Sequence, residues 1–210
     1  MGKTMKIEKF VTGIISTNCY LVSNEKTRQA VIVDPAAIPK ALVKAVEEED
    51  VKIEAALLTH GHFDHMMGLD ALVKVWDVPV YVEEEDQEIM TDPRLNLSST
   101  YTAGYTFSRA KSVKDGQILR LAGYDFQVLH TPGHTRGGCC YYVASEQVLF
   151  SGDTLFQMSV GRTDFPNSST LDLIRSIREK LLPLPDETVV YPGHMGETTI
   201  GQERDYNPYL

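Results

Sequence analysis

Apolar and polar residues alternate along 5–13, 19–24 and 30–34, with turn-forming residues between, and this period of two predicts three β-strands. The period then lengthens. Pro39 stands at a first helical turn and Ala41, Leu42, Ala45 and Val46 recur at helical spacing, which predicts a helix over 39–49. The apolar run Ile53 to Leu58 reads as a buried strand, succeeded by a helix from about Met66 to Trp76 and a strand from Val78 to Val82. A β-α-β-α-β order implies parallel strands joined by right-handed crossovers. Residues 83–116 show no clean period: the acidic run Glu83 to Asp86 reads as a solvated helix start, and Pro93, Ser98, Ser99 and Gly104 interrupt the remainder of the stretch. Strands return at 117–121 and 124–129 around an Ala-Gly turn, then at 138–143 and 148–150. An amphipathic helix over 171–182 and a last strand over 188–191 complete the order.

Composition adds boundaries to this picture. A chain of 210 residues, 42% hydrophobic and 23% charged, is long enough for one substantial core, and no Pro/Gly/Ser-rich linker divides it, so one domain over 1–210 is expected. The net charge of -9 argues against a nucleic-acid partner. The first ten residues lack the apolar stretch of a signal peptide, and Lys6 stands where a myristoylation signal wants Ser or Thr. No apolar run reaches bilayer length, so a cytoplasmic protein without a membrane partner is expected. Cys19, Cys139 and Cys140 have no C-x-x-C spacing and read as free buried thiols, the last two pointing to opposite faces of one strand.

The chemistry is concentrated in His60-Gly61-His62-Phe63-Asp64-His65, which holds three of the six histidines directly after a predicted strand. Imidazole and carboxylate donors suit zinc and its borderline neighbours, and the alternation of His60/His62 with Asp64/His65 lets one turn feed two metal positions. The carboxyl end of a strand is also where open α/β sheets place binding sites. Asp34, at the end of the strand 30–34, is placed to hydrogen-bond a ligand histidine from behind.

The stretch T-H-G-H-F-D-H (59–65) resembles the H-x-H-x-D-H signature of the metallo-β-lactamase superfamily. The remaining signature segments come in order: T-P-G-H-T with His134, F-S-G-D-T-L-F with Asp153, and Y-P-G-H-M-G with His194. The resemblance implies an α/β fold, a four-layered αββα sandwich, with a dinuclear site at the upper edge of its two sheets. It assigns His60, His62 and His134 to one ion and Asp64, His65 and His194 to the other, with Asp153 bridging. Two divalent ions are implied, zinc first, with iron or manganese as other occupants. The segment S-V-G-R-T-D-F-P (159–166) resembles one shared by small glyoxalase II-like hydrolases and persulfide dioxygenases, and Arg162 and Asp164 are expected to fasten it to the site by a charge-assisted pair. Asn18 falls in the first turn, near the metal site in relatives, and reads first as a turn residue. His130 matches no ligand of the family and reads as a packed or supporting histidine. Arg94, Tyr101, Tyr105, Arg109 and Lys111 lie where substrate loops vary and are candidates for substrate contact.

A metal pair supplies both a hydroxide nucleophile and a Lewis acid, so neither Ser151 nor Cys139 is needed as nucleophile. A thiolate, with a pKa of about 8.5, leaves without much acid assistance. These considerations favour a hydrolase of the glyoxalase II type acting on S-lactoylglutathione or a related small thioester, with Asp64 and Asp153 as the catalytic carboxylates. The alternative is a mononuclear non-haem iron persulfide dioxygenase, which needs two histidines and one carboxylate. A non-catalytic metal-stabilised binding module would require a broken ligand set, and none is broken. A β-lactamase in the strict sense is not expected without a secretion signal. Full-length glyoxalase II proteins use a basic helical extension to hold glutathione; here residues 195–210 lie beyond His194, so weak glutathione binding is expected.

Overall fold

In the computed structural model, which describes residues 5–210, the alternating segments at the start of the chain pair as an antiparallel hairpin of β1 (Met5–Thr12) and β2 (Thr17–Asn24). The stretch 1–4, part of the segment read for targeting signals, lies outside the described residues. Strand β3 (Gln29–Val33) runs antiparallel to β2, and helix α1 (Lys40–Glu49) leads to β4 (Lys52–Leu57), parallel to β3. Helices α2 (Phe63–Met66) and α3 (Leu69–Trp76) precede β5 (Val80–Glu83), which is parallel to β4 as expected. Two short helices, α4 (Gln87–Thr91) and α5 (Ser98–Tyr101), lead to β6 (Lys111–Val113), which completes a six-stranded sheet ordered β1 to β6. Three residues are too few to show a period, and β6 was not legible in the pattern.

The second sheet holds β7 (Ile118–Leu121), β8 (Tyr124–His130), β9 (Cys139–Val143) and β10 (Val148–Gly152). A small ribbon of β11 (Leu155–Phe156) and β12 (Ser159–Val160) comes next, then helix α6 (Thr170–Ser176), which widens into a π-helical turn over Ile177–Leu181. Strands β13 (Val189–Pro192) and β14 (Thr198–Thr199) and helix α7 (Ile200–Tyr206) end the chain, and the sheet order is β14-β13-β10-β9-β8-β7. The Ser169 side chain caps α6 by accepting from the Asp172 amide.

Strands β2, β9 and β10 are buried throughout, the mark of sheets covered on both faces. Tyr20, Val31 and Leu57 of the first sheet meet Phe126, Tyr141 and Phe150 of the second in the layer between them. Leu42, Leu69 and Leu72 of α1 and α3 cover the outer face of the first sheet, while Leu173, Ile177 and Leu181 cover that of the second. The result is the four-layered αββα sandwich. The three cysteines are free and buried, Cys139 between the sheets and Cys140 on the opposite, helix-covered face. Among the described residues no helix is long and apolar enough to cross a membrane.

Two local readings need correction. The helix expected from Met66 begins at Phe63 and breaks before Leu69, because the Gly68 amide donates to the Pro35 carbonyl at 2.9 Å and a Cβ there would collide with that oxygen. Asp64 and His65 therefore stand on a helix rather than in a loop. The acidic run 83–86 is not simply solvated: Glu83 and Asp86 are buried, for reasons that lie in the site.

Candidate metal centre

All seven signature residues meet at the edge where the two sheets touch. His60 comes after β4, His62 immediately precedes α2, and Asp64 and His65 lie on α2; His134 comes from the turn between β8 and β9, Asp153 from the end of β10, and His194 from the end of β13. Donor atoms of His60, His62 and His134 lie within 4.8 Å of one another, and so do those of Asp64, His65 and His194. Asp153 groups with His60 and His65, one from each set, by the same measure. His65 Nε2 stands 3.2 Å from Asp64 Oδ2 and 3.4 Å from Asp153 Oδ1; His194 Nε2 stands 3.2 Å from Asp64 Oδ2, and His134 Nε2 3.5 Å from Asp153 Oδ2.

The cluster fits metal ions on its own chemistry. His60 Nε2 and Asp153 Oδ1 are buried without a hydrogen-bond partner, an arrangement that costs about 1–3 kcal/mol per group unless something binds there. Burial, reinforced by neighbouring imidazoles, drives His60 well below its ordinary pKa and His62 to about 3, and burial lowers His134 as well. These three rings are neutral and keep a lone pair to donate. The other set includes a carboxylate, Asp64. Burial opposes charge on His65, but Asp64, Asp34 and Asp153 outweigh it and hold the ring protonated, a proton standing where the carboxylates call for a cation. Burial likewise works against ionised Asp153, yet the charge of His65 keeps its carboxyl at about 2.

The surrounding residues fix the donors. Asp34, in a left-handed backbone conformation (φ 49), accepts from the Thr59 amide and hydroxyl, both at 2.8 Å, and its Oδ2 lies 2.9 Å behind His65 Nδ1, off the line of a good hydrogen bond. The Thr17 hydroxyl donates to Asp64 Oδ2 at 3.0 Å. Asn18, read from sequence first as a turn residue, is buried: its Nδ2 donates to the carbonyls of Pro192 and Met195, and the Tyr20 hydroxyl also donates to Pro192, so β2 holds the His194 loop. Asp86 takes the Gly61 amide (2.7 Å), the Thr135 hydroxyl (2.9 Å) and the Gly137 amide (2.7 Å), tying the His60–His62 turn to the His134 turn. Sequence reasoning missed Thr17 and Asp86, and neither carries a signal that would have marked it. Close approach also matters: a Cβ on Gly152 (φ 50) would strike the Thr59 hydroxyl, and one on Gly193 would strike Asp153 Oδ1.

A cavity of about 290 Å³ opens in front of the donors, lined by His62, Asp64, His134, Asp153 and His194 and by apolar side chains. Of the proposed substrate contacts, Tyr101 lines it, while Arg94, Tyr105, Arg109 and Lys111 do not; Arg162 of the 159–166 segment lines it as well. Arg94 pairs with Asp92 and Arg109 with Asp70, both turned to solvent. Arg162 and Asp164 form the expected pair at 2.7 Å, but both are exposed; the loop reaches the site through the Arg162 carbonyl, which accepts from His134 Nδ1 at 2.8 Å. That bond leaves His134 Nε2 facing the cluster. His130 is a fastener outside it, its Nε2 2.8 Å from the Arg136 carbonyl. Among the described residues that line the cavity, Ser159 is the one serine and there is no cysteine or lysine. The Ser151 hydroxyl is buried and donates to the Leu155 carbonyl, and burial pushes the Cys139 thiol well above its usual range.

Comparison with known proteins agrees with this architecture. The family model of the metallo-beta-lactamase superfamily matches residues 12–194. The hydroxyacylglutathione hydrolase GloC of Haemophilus influenzae is 36% identical, over 98% of this chain and 98% of its own. The crystal structure of the BLEG-1 B3 metallo-beta-lactamase superposes with a TM-score of 0.91 at 41% identity, covering 98% of this chain and 99% of that one. TTHA1623, solved in a di-iron-bound form, gives 0.85 at 35% identity over 97% and 100%. With its sandwich, its metal-binding His/Asp cluster and a family match across most of its length, the chain belongs to the metallo-β-lactamase superfamily.

Proposed function

We propose that this protein is a metal-dependent thioester hydrolase of the glyoxalase II type, with His60, His62 and His134 holding one divalent ion, Asp64, His65 and His194 a second, and Asp153 shared between them. The observation that carries the reading is a doubled donor set opening onto a single cavity, whose described lining includes no cysteine or lysine. Bound metals supply a hydroxide at neutral pH and polarise the substrate carbonyl. The chain's own part is to place and shield the site. Thr17 fixes the Asp64 carboxylate, leaving it beside His65 and His194, where it can take the proton of the attacking water. Phe63, Phe156 and Phe165 keep bulk water from the reacting carbonyl. A thiolate leaves without a strong acid, which suits a cavity lined by no such group. Zinc is the ion favoured by nitrogen and carboxylate donors, and iron is the next choice in view of the di-iron relative. A mononuclear dioxygenase would leave one donor set without a task. The similarity to GloC supports the thioesterase reading.

A second reading, β-lactam hydrolysis, is favoured by the likeness to BLEG-1. Metal analysis of the purified chain, combined with assays of S-lactoylglutathione, simple thioesters, a chromogenic cephalosporin and glutathione persulfide with oxygen monitoring, separates the readings. Two metals per chain and thioester turnover are expected. One iron with oxygen uptake, or cephalosporin turnover alone, would replace the proposal.

A further inference from the structure

The cavity wall carries more apolar surface than holding the donors requires. Phe63 stacks on Tyr101 with ring centroids 5.0 Å apart and planes 15° from parallel. Phe165 stands edge-on to both His62 and His134, at 5.3 and 5.6 Å. Around the mouth Tyr101 is 50% exposed, Ile15 42% and Met195 59%. These three come from separate places, the end of α5, the β1–β2 turn and the His194 loop, yet all line the one cavity. Polar recognition is sparse by comparison. Arg162 is the one arginine or lysine among the described lining residues; its side chain is 65% exposed, engaged by Asp164, and lies over the Phe165 ring at 4.6 Å. A glutathione carrier brings two carboxylates, and the lining residues outside the donor cluster offer them one guanidinium, already shared with Asp164.

We infer that this site selects its substrate by an apolar acyl chain of medium length, held between the Phe63–Tyr101 pair and Ile15 and Met195, and gains little from a glutathione carrier. The inference rests on the thioester-hydrolase reading. The reaction it describes adds water across the acyl C–S bond: the carbonyl carbon takes the oxygen, the C–S bond breaks, and the thiol departs with the balancing proton. An apolar chain covering the mouth leaves water as it binds, and the small cavity limits how long that chain can be.

The test uses the zinc-loaded full chain with acetyl, butyryl, hexanoyl and octanoyl thioesters of N-acetylcysteamine and of glutathione. In parallel, calorimetry measures binding of the matching S-alkyl thioethers, which cannot be hydrolysed. We expect kcat/KM to rise by up to about fourfold per methylene, equivalent to about 0.8 kcal/mol, with both carriers alike and thioether affinity rising in step. Tyr101→Ser and Met195→Ser should flatten both slopes. A flat or falling series in which glutathione thioesters are preferred overturns the inference while leaving the hydrolase reading in place. Absence of turnover with every thioester removes the hydrolase reading instead. The thioether affinities then decide alone: a rise with chain length upholds the apolar site, and a flat series sinks it.

Discussion

Asp153 is the residue through which the two donor sets depend on each other, because its carboxylate groups with His60 of one and His65 of the other. Asp153→Ala should therefore deplete both metals and reduce activity more than Ala at any single histidine. Elemental analysis of the purified variant checks this, and two retained metals per chain would take Asp153 out of the shared position. Asp64→Asn should keep the circular dichroism of the parent while turnover falls on the order of 10²–10⁴-fold, the usual range for losing a positioned proton acceptor. Near-parental turnover would point to a single-metal mechanism. The seven donors were legible because they sit in short contiguous motifs. The side chains that position them were only partly so: Asp34 could be guessed from its strand end, but nothing in the sequence places Thr17 3.0 Å from Asp64. The candidates Arg94, Arg109 and Lys111 lie outside the cavity, since membership of a variable loop does not say which way a side chain turns.

Among the elements, the least readable stretch proved to hold a structural part of the site. The acidic run 83–86 looks solvated because charge in sequence carries no sign of burial, yet Asp86 is fully buried and binds both donor-bearing turns. An amide in its place would set an N–H against one of three donors. Asp86→Asn should thus weaken metal binding at the His60/His62/His134 set by about 10–100-fold, measurable by cobalt titration with its visible spectrum. Burial also pushes the Asp86 carboxyl up, from 3.8 to about 6. The folded protein therefore takes up this proton at a higher pH than the unfolded chain, so ionised Asp86 destabilises the fold above about pH 6, and the penalty is relieved as pH falls toward 3.8. In metal-free protein, the parent should gain stability relative to the Asp86→Asn variant as pH falls through that window, by on the order of 3 kcal/mol. Paired denaturant titrations would show it, and a difference independent of pH would contradict it.

For the whole molecule, the order of strands and helices came from the periodicity, and the parallel run β3-β4-β5 was expected from it, while the layers came from the resemblance. The partition into two sheets did too, because strand period alone does not say where one sheet ends. Phe150 joins the two, lying between the sheets with its ring 5.6 Å from both Tyr20 and Tyr191, on the strand that leads to Asp153. Phe150→Ala should cost about 3–5 kcal/mol, read as a lower denaturant midpoint with an unchanged m-value. The hold of Asn18 on the Pro192 carbonyl spans 174 residues. At about 5–20 residues per second, roughly 9 to 35 s of synthesis separate that side chain from its partner. Late in this interval the early donors His60, His62, Asp64 and His65 are already made, while the loop that carries His194 does not yet exist. Assembly of the second donor set therefore cannot precede synthesis of the His194 loop, however early metal reaches the first four donors.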